Sequence, residues 1–499
     1  MADYDLAIIG GGIIGAGVAR DAAGRGLKVL LVEQNDLAAA ASSTSTGLVH
    51  GDFCALARGS LTSVRAALQE RHVLARTAPH LVQPLRLVLP PQDAEHPPWL
   101  LRGELFLYDH LARRRGLAAA RTLDLTHHAC GAPLRRRFTF GFEFSDCRAD
   151  DARLVVANAI DAAAHGAVIR TRTRCIRAER TEQWTLVLNS RGRRMVATAR
   201  ALVNATGPWL AAVAGTVLRQ KKLPPVRFVK GSHIVVRALF DHDRGYLLPG
   251  PNGRGIFALP LSREFTLVGS TELDFRGDAA STTADLAEIN SLCTTINAYF
   301  RQSITSSDVV RSFTSIASRY VDPAASERDA IGRHVLWLDA ERGQAPLLTV
   351  VGGRLTTYRR VAEEAVGALA HFFAARPGWT RTAPLPGGEF GARRFDAFVT
   401  EVGAKWPFLA PDQVRRLAGA YGTRVDLVLG EARGPDDLGP AFGAGLTAAE
   451  VRYLMRHEWA ETADDVLWRR SKLGLAIGPE GVEQIARFMA AELGARRDI

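Results

Sequence analysis

The sequence predicts an α/β chain, α+β overall, and three observations carry that prediction. The N-terminus reads strand, glycine turn, helix, strand. The middle of the chain carries short strand-like runs, among them Ser232–Val236, Gly255–Leu259 and Phe265–Val268. From about residue 390, after the break Leu385-Pro386-Gly387-Gly388, apolar residues recur at helical spacing: Phe395, Phe398, Val399, then Val414, Leu417, Ala418, Tyr421. A parallel-sheet nucleotide-binding domain, an antiparallel-sheet domain and a C-terminal helical domain follow from these.

The first element is Leu6-Ala7-Ile8-Ile9, which runs into Gly10-Gly11-Gly12-Ile13-Ile14-Gly15. A helical pattern follows until Gly24-Arg25-Gly26, and a second apolar run, Leu27 to Val32, ends at Glu33. This is the Rossmann dinucleotide fingerprint. Gly10 permits the tight turn, Gly12 lets backbone approach a pyrophosphate, and Gly15 lets helix and strand pack closely. The amides at the helix start, Ile13 first, face the phosphates. Glu33 can accept from both ribose hydroxyls and would repel a 2′-phosphate, which disfavours NADP.

Three later segments favour FAD over NAD. The hydroxyl-rich stretch Ser42-Ser43-Thr44-Ser45-Thr46-Gly47 can bond phosphate and ribityl groups. Leu202-Val203-Asn204-Ala205-Thr206-Gly207 is an apolar strand ending in a turn. Leu348 to Val351, then Gly352-Gly353-Arg354-Leu355-Thr356, is a late strand, glycine turn and helix start whose amides can face a flavin. Leu48 and His50 follow the hydroxyl-rich stretch.

Composition narrows the rest. With 47% hydrophobic and 23% charged residues among 499, the chain can bury a large core. Its net charge of +11 is spread along the sequence, the densest groups being Arg113-Arg114-Arg115 and Arg135-Arg136-Arg137, and no nucleic-acid-binding signature accompanies them. The five cysteines lack CxxC spacing, which argues against a disulfide framework or Cys-based zinc site and fits a reducing, cytoplasmic setting. No metal site is expected. No run of about 18 apolar residues predicts a transmembrane helix. The acidic start, Met1-Ala2-Asp3-Tyr4-Asp5, does not read as a signal peptide.

Several blocks together resemble the aerobic, FAD-dependent glycerol-3-phosphate dehydrogenases. They include Val64-Arg65-Ala66-Ala67-Leu68, Tyr108-Asp109-His110-Leu111, Phe144-Ser145-Asp146-Cys147, Asp150-Asp151-Ala152-Arg153-Leu154, Lys230-Gly231-Ser232-His233 and Ala463-Asp464-Asp465-Val466-Leu467-Trp468-Arg469-Arg470. The resemblance implies hydride transfer from C2 of sn-glycerol 3-phosphate to FAD, giving dihydroxyacetone phosphate, with electrons passed on to a membrane quinone. It implies a small phosphorylated polyol as substrate, and leaves room for an anionic membrane surface and a second copy of the chain as partners. His233 is then the expected base, with Lys230, Arg319, Arg354 and Tyr358 around the substrate. His50 is expected beside the flavin.

The sequence also departs from that family. Members usually read Gly-Leu-Arg-Tyr-Leu-Glu after the His-Gly pair, where this chain has Asp52-Phe53-Cys54-Ala55-Leu56-Ala57. Gly47 and Arg354 each stand where lysine is usual, and Ala317 stands where the family's Gly-Val-Arg-Pro-Leu has arginine. A charge-assisted bond to phosphate is worth roughly 1.5–3 kcal/mol, so the substrate pocket reads as remodelled. Arg319, two residues from Ala317 on an extended strand, and Arg58, four from Cys54 on a helix, are candidate replacements. A different hydroxy or amino substrate, or a flavin-binding paralogue without catalysis, are the alternatives.

The segment order predicts an FAD domain built from about 1–80, 150–215 and 330–380, a substrate or cap domain from 81–149 and 216–329, and a helical domain over 390–499. The run Val361 to Phe373 reads as a helix, either packed behind the Gly352-Gly353 turn or lying on a membrane.

Overall fold

The computed structural model describes residues 2–57, 59–91, 97–114, 116–220, 222–250, 255–321, 334–391 and 393–495. In chain order the strands are β1 (Tyr4–Ile9), β2 (Val29–Val32), β3 (Leu48–Val49), β4 (Val82–Leu89), β5 (Arg121–Asp124), β6 (Phe140–Ala149), β7 (Val168–Arg170), β8 (Thr173–Arg180) and β9 (Trp184–Ser190). There follow β10 (Arg193–Asn204), β11 (Val226–Arg237), β12 (Gly245–Pro249), β13 (Gly255–Pro260), β14 (Phe265–Gly269), β15 (Leu273–Phe275), β16 (Val309–Tyr320), β17 (Val335–Asp339) and β18 (Leu347–Val351). The helices that bear on the site are α1 (Ile13–Gly24), α2 (Phe53–Ala57), α3 (Leu61–Thr77), α4 (Pro98–His110) and α5 (Asp151–Ala164).

These strands form two sheets. The first runs β17-β18-β10-β1-β2-β7, with β1 parallel to both β2 and β10, and β10 parallel to β18. β1 and β2 are buried on both faces, which is why they read as unbroken apolar runs. Leu6, Ile8, Leu31, Val203 and Val350 meet α1, α5 and the Tyr358–Leu369 helix on one side. Ala7, Ile9, Leu30 and Leu202 meet Trp184, Leu186 and Leu188 of β9 on the other. The first half of β10 pairs antiparallel with β9 and its second half joins the parallel sheet.

The second sheet runs β15-β11-β14-β13-β12-β4-β6-β3, with β16 added to β11 and β5 to β6. It is where the alternating middle runs fall. Two sequence expectations need correction. Leu48–Val49 pairs with Cys147 and Arg148 of β6, so residues 1–80 are not wholly part of the first sheet's domain. Phe53, Val64 and Leu68 also pack into the second sheet's apolar layer with Leu85, Phe142 and Val235. The helix expected over 361–373 spans Tyr358–Leu369, with a short turn over Ala370–Phe372. Its Val361, Ala362, Ala365 and Val366 are buried, so its apolar face is core and not a membrane face. The C-terminal helices, Phe395–Lys405, Pro411–Tyr421, Ala448–His457 and Pro479–Ala495, close around their own apolar cluster.

Candidate active site

A cavity of about 540 Å³ lies where the two sheets meet. At its nucleotide end the walls are backbone. Gly10 has φ +115°, and a Cβ there would sit 2.5 Å from the Ala205 carbonyl oxygen. A Cβ on Gly15 would lie 1.9 Å from the Gly10 carbonyl oxygen, so only glycine lets α1 seat on the turn. Gly12 ends α1 with no side-chain cap of its own, and Ser42 Oγ accepts the Ile13 amide at 3.0 Å instead.

Glu33 lines the same end. Its carboxylate accepts the Gly11 amide at 2.7 Å and the Asn35 amide at 2.8 Å. Burial raises its pKa, and these two amide bonds act against that. Ala205, Thr206 and Gly207 line the cavity from the end of β10, where Asn204 Oδ1 accepts the Thr206 hydroxyl at 2.7 Å. Gly353, with φ +100°, packs on Ile14, and Arg354, Leu355 and Thr356 continue the wall. Leu48, Ser45 and His50 complete it. A glycine-walled groove, a strand-end carboxylate and a helix N-terminus bonded by a serine are the donor set that a dinucleotide's pyrophosphate and ribose need, so the residues present fit FAD.

Away from the nucleotide end a smaller cavity of about 130 Å³ shares His50, Asp52, Gly255, Phe257, Ser270, Arg319 and Arg354 with the larger one. Here the walls are side chains. Arg354 Nη1 meets Asp52 Oδ2 at 2.5 Å, and Arg319 is paired with Glu272. Burial lowers the Arg319 pKa and Glu272 opposes that shift. Arg319 and Ala317 both line the larger cavity, as do Ser315, Ile316 and Ser318 beside them on β16. Cys54 abuts Gly255, whose added Cβ would lie 3.0 Å from its sulfur. Arg58 lies outside the described residues.

His50 is fixed at three points. Its amide donates to Thr356 Oγ1 at 3.1 Å, its ring packs edge-on against Phe257 at 5.8 Å, and its Nδ1 accepts the Asp52 amide at 3.2 Å. Burial lowers its pKa, with Asp52 opposing, so the ring is neutral at pH 7.

Other expected residues lie elsewhere. Tyr358 is wholly buried among the helices behind the first sheet, where its hydroxyl accepts from Asn158 at 2.9 Å and Gly17 packs on its ring. Lys230 meets the buried Glu288 at 2.5 Å, on the sheet face covered by the Leu286–Tyr299 helix. His233 is 2% exposed and stacked on Phe313 at 5.2 Å, and burial pushes its pKa down to about 4. None of the three lines either cavity. Ser43 also misses the wall, its hydroxyl turning to the Ala40 carbonyl, and Gly15 acts from behind it. Sequence reasoning gave no site role to Asp151, Thr173, Trp209, Phe257 or Ser270, all of which line the larger cavity. The Asp150-Asp151 pair at a strand-to-helix junction was the available signal for the first of them.

The fold and the groove define a dinucleotide-binding oxidoreductase. Residues 5–359 match the model of the FAD dependent oxidoreductase family, and 378–498 match the C-terminal domain of alpha-glycerophosphate oxidase. The chain is 44% identical to a glycerol-3-phosphate dehydrogenase of Pseudomonas aeruginosa, covering 98% of this chain and 95% of that one. It is 43% identical to the D-erythritol 1-phosphate dehydrogenase of Brucella abortus, covering 94% of each. The solved glycerol-3-phosphate dehydrogenase of Bacillus halodurans, complexed with FAD, superposes with a TM-score of 0.77 at 28% identity over 98% of this chain and 91% of that one. The chain belongs to the FAD dependent oxidoreductases and, within them, to the glycerol-3-phosphate dehydrogenase family. Its cofactor is FAD, and it is an enzyme. When bound, FAD supplies the hydride acceptor.

Proposed function

We propose that the chain oxidises sn-glycerol 3-phosphate at C2 to dihydroxyacetone phosphate, with a quinone as the final acceptor. The observation that carries this is the wall shared by the two cavities, where Arg319, Arg354 and His50 come together. Arg354 presents a planar fork that can exchange the Asp52 carboxylate for a phosphate, and Arg319 can do the same with Glu272. His50 takes the hydroxyl proton in place of His233, because it lines the cavity and is neutral. Its bond to the Asp52 amide is long at 3.2 Å, so a substrate hydroxyl can replace that amide at the Nδ1 lone pair.

A second reading keeps the chemistry and lengthens the substrate to a four-carbon polyol phosphate. It is favoured by Asp52 and Glu272, two carboxylates in the small cavity that can accept hydroxyls beyond those of glycerol, and by the 43% identity to the Brucella abortus dehydrogenase. The test is anaerobic. Holoenzyme is mixed with glycerol 3-phosphate or with erythritol 1-phosphate, and bleaching of the flavin band is followed. Rapid bleaching by the first at sub-millimolar concentration supports the leading reading. Bleaching by the second alone replaces it with the longer polyol. Bleaching by neither, with a flavin that dithionite still reduces, overturns both.

For delivery of electrons to quinone, an anionic membrane surface is the partner we propose. No helix among the described residues is long and apolar enough to cross a membrane. The support comes from α4, where Trp99 is 74% and Phe106 65% exposed beside exposed Leu100, Leu107 and Arg102. An outward apolar row with a cation suits the boundary of an anionic bilayer. Cosedimentation with anionic but not zwitterionic vesicles is expected, and Trp99→Ser with Phe106→Ser should abolish it.

A further inference from the structure

One short stretch of the C-terminal domain, 458–472, reaches back to the nucleotide cavity at several points. Arg470 holds both carboxylate oxygens of Asp36, at 2.9 and 2.8 Å, and Arg469 Nε adds a bond of 2.7 Å. Asp36 is wholly buried and lies three residues past Glu33. Asp465 takes Arg172 Nη2 on both its oxygens at 2.7 Å. The Arg172 amide bonds the Asn35 carbonyl, and the next amide, that of Thr173, bonds the Glu33 carbonyl, both at 2.8 Å.

The third link is Lys472. Its ammonium donates to Asp151 Oδ1 at 2.7 Å and to the Ser43 carbonyl at 3.2 Å. The other oxygen of Asp151 accepts the Ser45 hydroxyl at 2.7 Å and the Ser45 amide at 3.1 Å. Asp151 and Ser45 both line the FAD cavity, as do Ala39, Ala40, Ala41, Ser42 and Thr46. The loop between β2 and β3, which forms that wall, is thus held from outside near both its ends, by Arg469 and Arg470 at one and by Lys472 at the other. A wall fixed before the ligand arrives lowers the ordering cost of binding.

We propose that Lys472 is a positioning residue for FAD, acting through Asp151 on Ser45, and that the C-terminal domain is in this way a cofactor-retention device. The proposal goes beyond the substrate reading and is independent of it. The test uses full-length protein stripped of FAD and titrated back by flavin fluorescence quenching. Lys472→Met is expected to raise the FAD dissociation constant 10-fold or more, and Lys472→Arg to restore it to within about threefold. Lys405→Met, which breaks a surface pair with Asp426 in the same domain, should leave it unchanged. In the Asp151→Asn background, Lys472→Met should add less than twofold. A dissociation constant within twofold of wild type for a cooperatively melting Lys472→Met protein overturns the proposal, as does full additivity with Asp151→Asn. If Lys472→Met does not fold, Lys472→Gln is read by the same criteria.

Discussion

The two ends of the active-site groove are built by opposite means. The nucleotide end is made of backbone, with Gly10, Gly12, Gly15 and Gly353 placed where a Cβ would strike a neighbouring side chain or main-chain atom. The substrate end is made of side chains locked to one another, Arg354 with Asp52 and Arg319 with Glu272. A backbone wall leaves little room for variation and suits a cofactor that does not change. A wall of exchangeable ion pairs can be re-cut residue by residue. In this chain the second wall carries Cys54 and Ala317, where the resemblance leads one to expect arginine.

The sharpest way to break this comparison is at the glycines. Gly15→Ala places a methyl carbon inside contact distance of the Gly10 carbonyl, and the protein is expected to purify without its flavin absorbance. Full FAD occupancy in that variant would refute the rigid-backbone account. Next in size is His50→Asn, expected to slow anaerobic flavin reduction by roughly 10²–10⁴-fold. His233→Asn should slow it less than tenfold, and the reverse ranking would return the base role to His233. Third come the exchangeable pairs. Arg354→Met should raise the KM for the phosphorylated substrate about 10–100-fold, the loss of one charge-assisted bond. Asp52→Asn, which removes the competing carboxylate, should lower it a few-fold; a rise instead would mean that Asp52 reads the substrate directly.

The last test concerns pH and is read on stability, not on rate or binding. His233 titrates near 4 in the folded protein against an ordinary 6.5, because burial opposes its charge. A depressed folded value means that the unfolded chain binds more protons between those two limits. Its contribution to stability is complete above pH 6.5 and is lost as pH falls toward 4, on the order of 3 kcal/mol. Denaturant midpoints measured across that window should fall less steeply in His233→Phe than in wild type.

The nucleotide end was legible in the sequence because its determinants are local. Gly10 to Glu33 lie within one strand-helix-strand unit, and each glycine does its work where it stands. The substrate end draws on residues near 50, 255, 270, 317 and 354, and which of them meet depends on strand register that no local pattern reveals. Lys230 and His233 lie three apart on β11 and therefore point to opposite faces; neither reaches a cavity. Tyr358 did carry a warning. It falls in helical phase with Val361, Ala362, Ala365, Val366 and Leu369, and the whole row is buried. Asp52 and Glu272 drew no attention as pair partners because a carboxylate among expected phosphate contacts reads as a defect until the arginine beside it is seen.

The strand order has a consequence for how the enzyme is made. β1 lies between β2, its near neighbour in sequence, and β10, which in turn needs β18. The turn carrying Gly353 to Thr356 is synthesised some 320 residues after Glu33, roughly 16–65 s later at about 5–20 residues per second. Until then the emerging chain presents a glycine turn and an unpaired strand edge with no opposing wall, a surface that chaperones are suited to cover. The groove's last wall is therefore made only once 356 of the 499 residues have been joined.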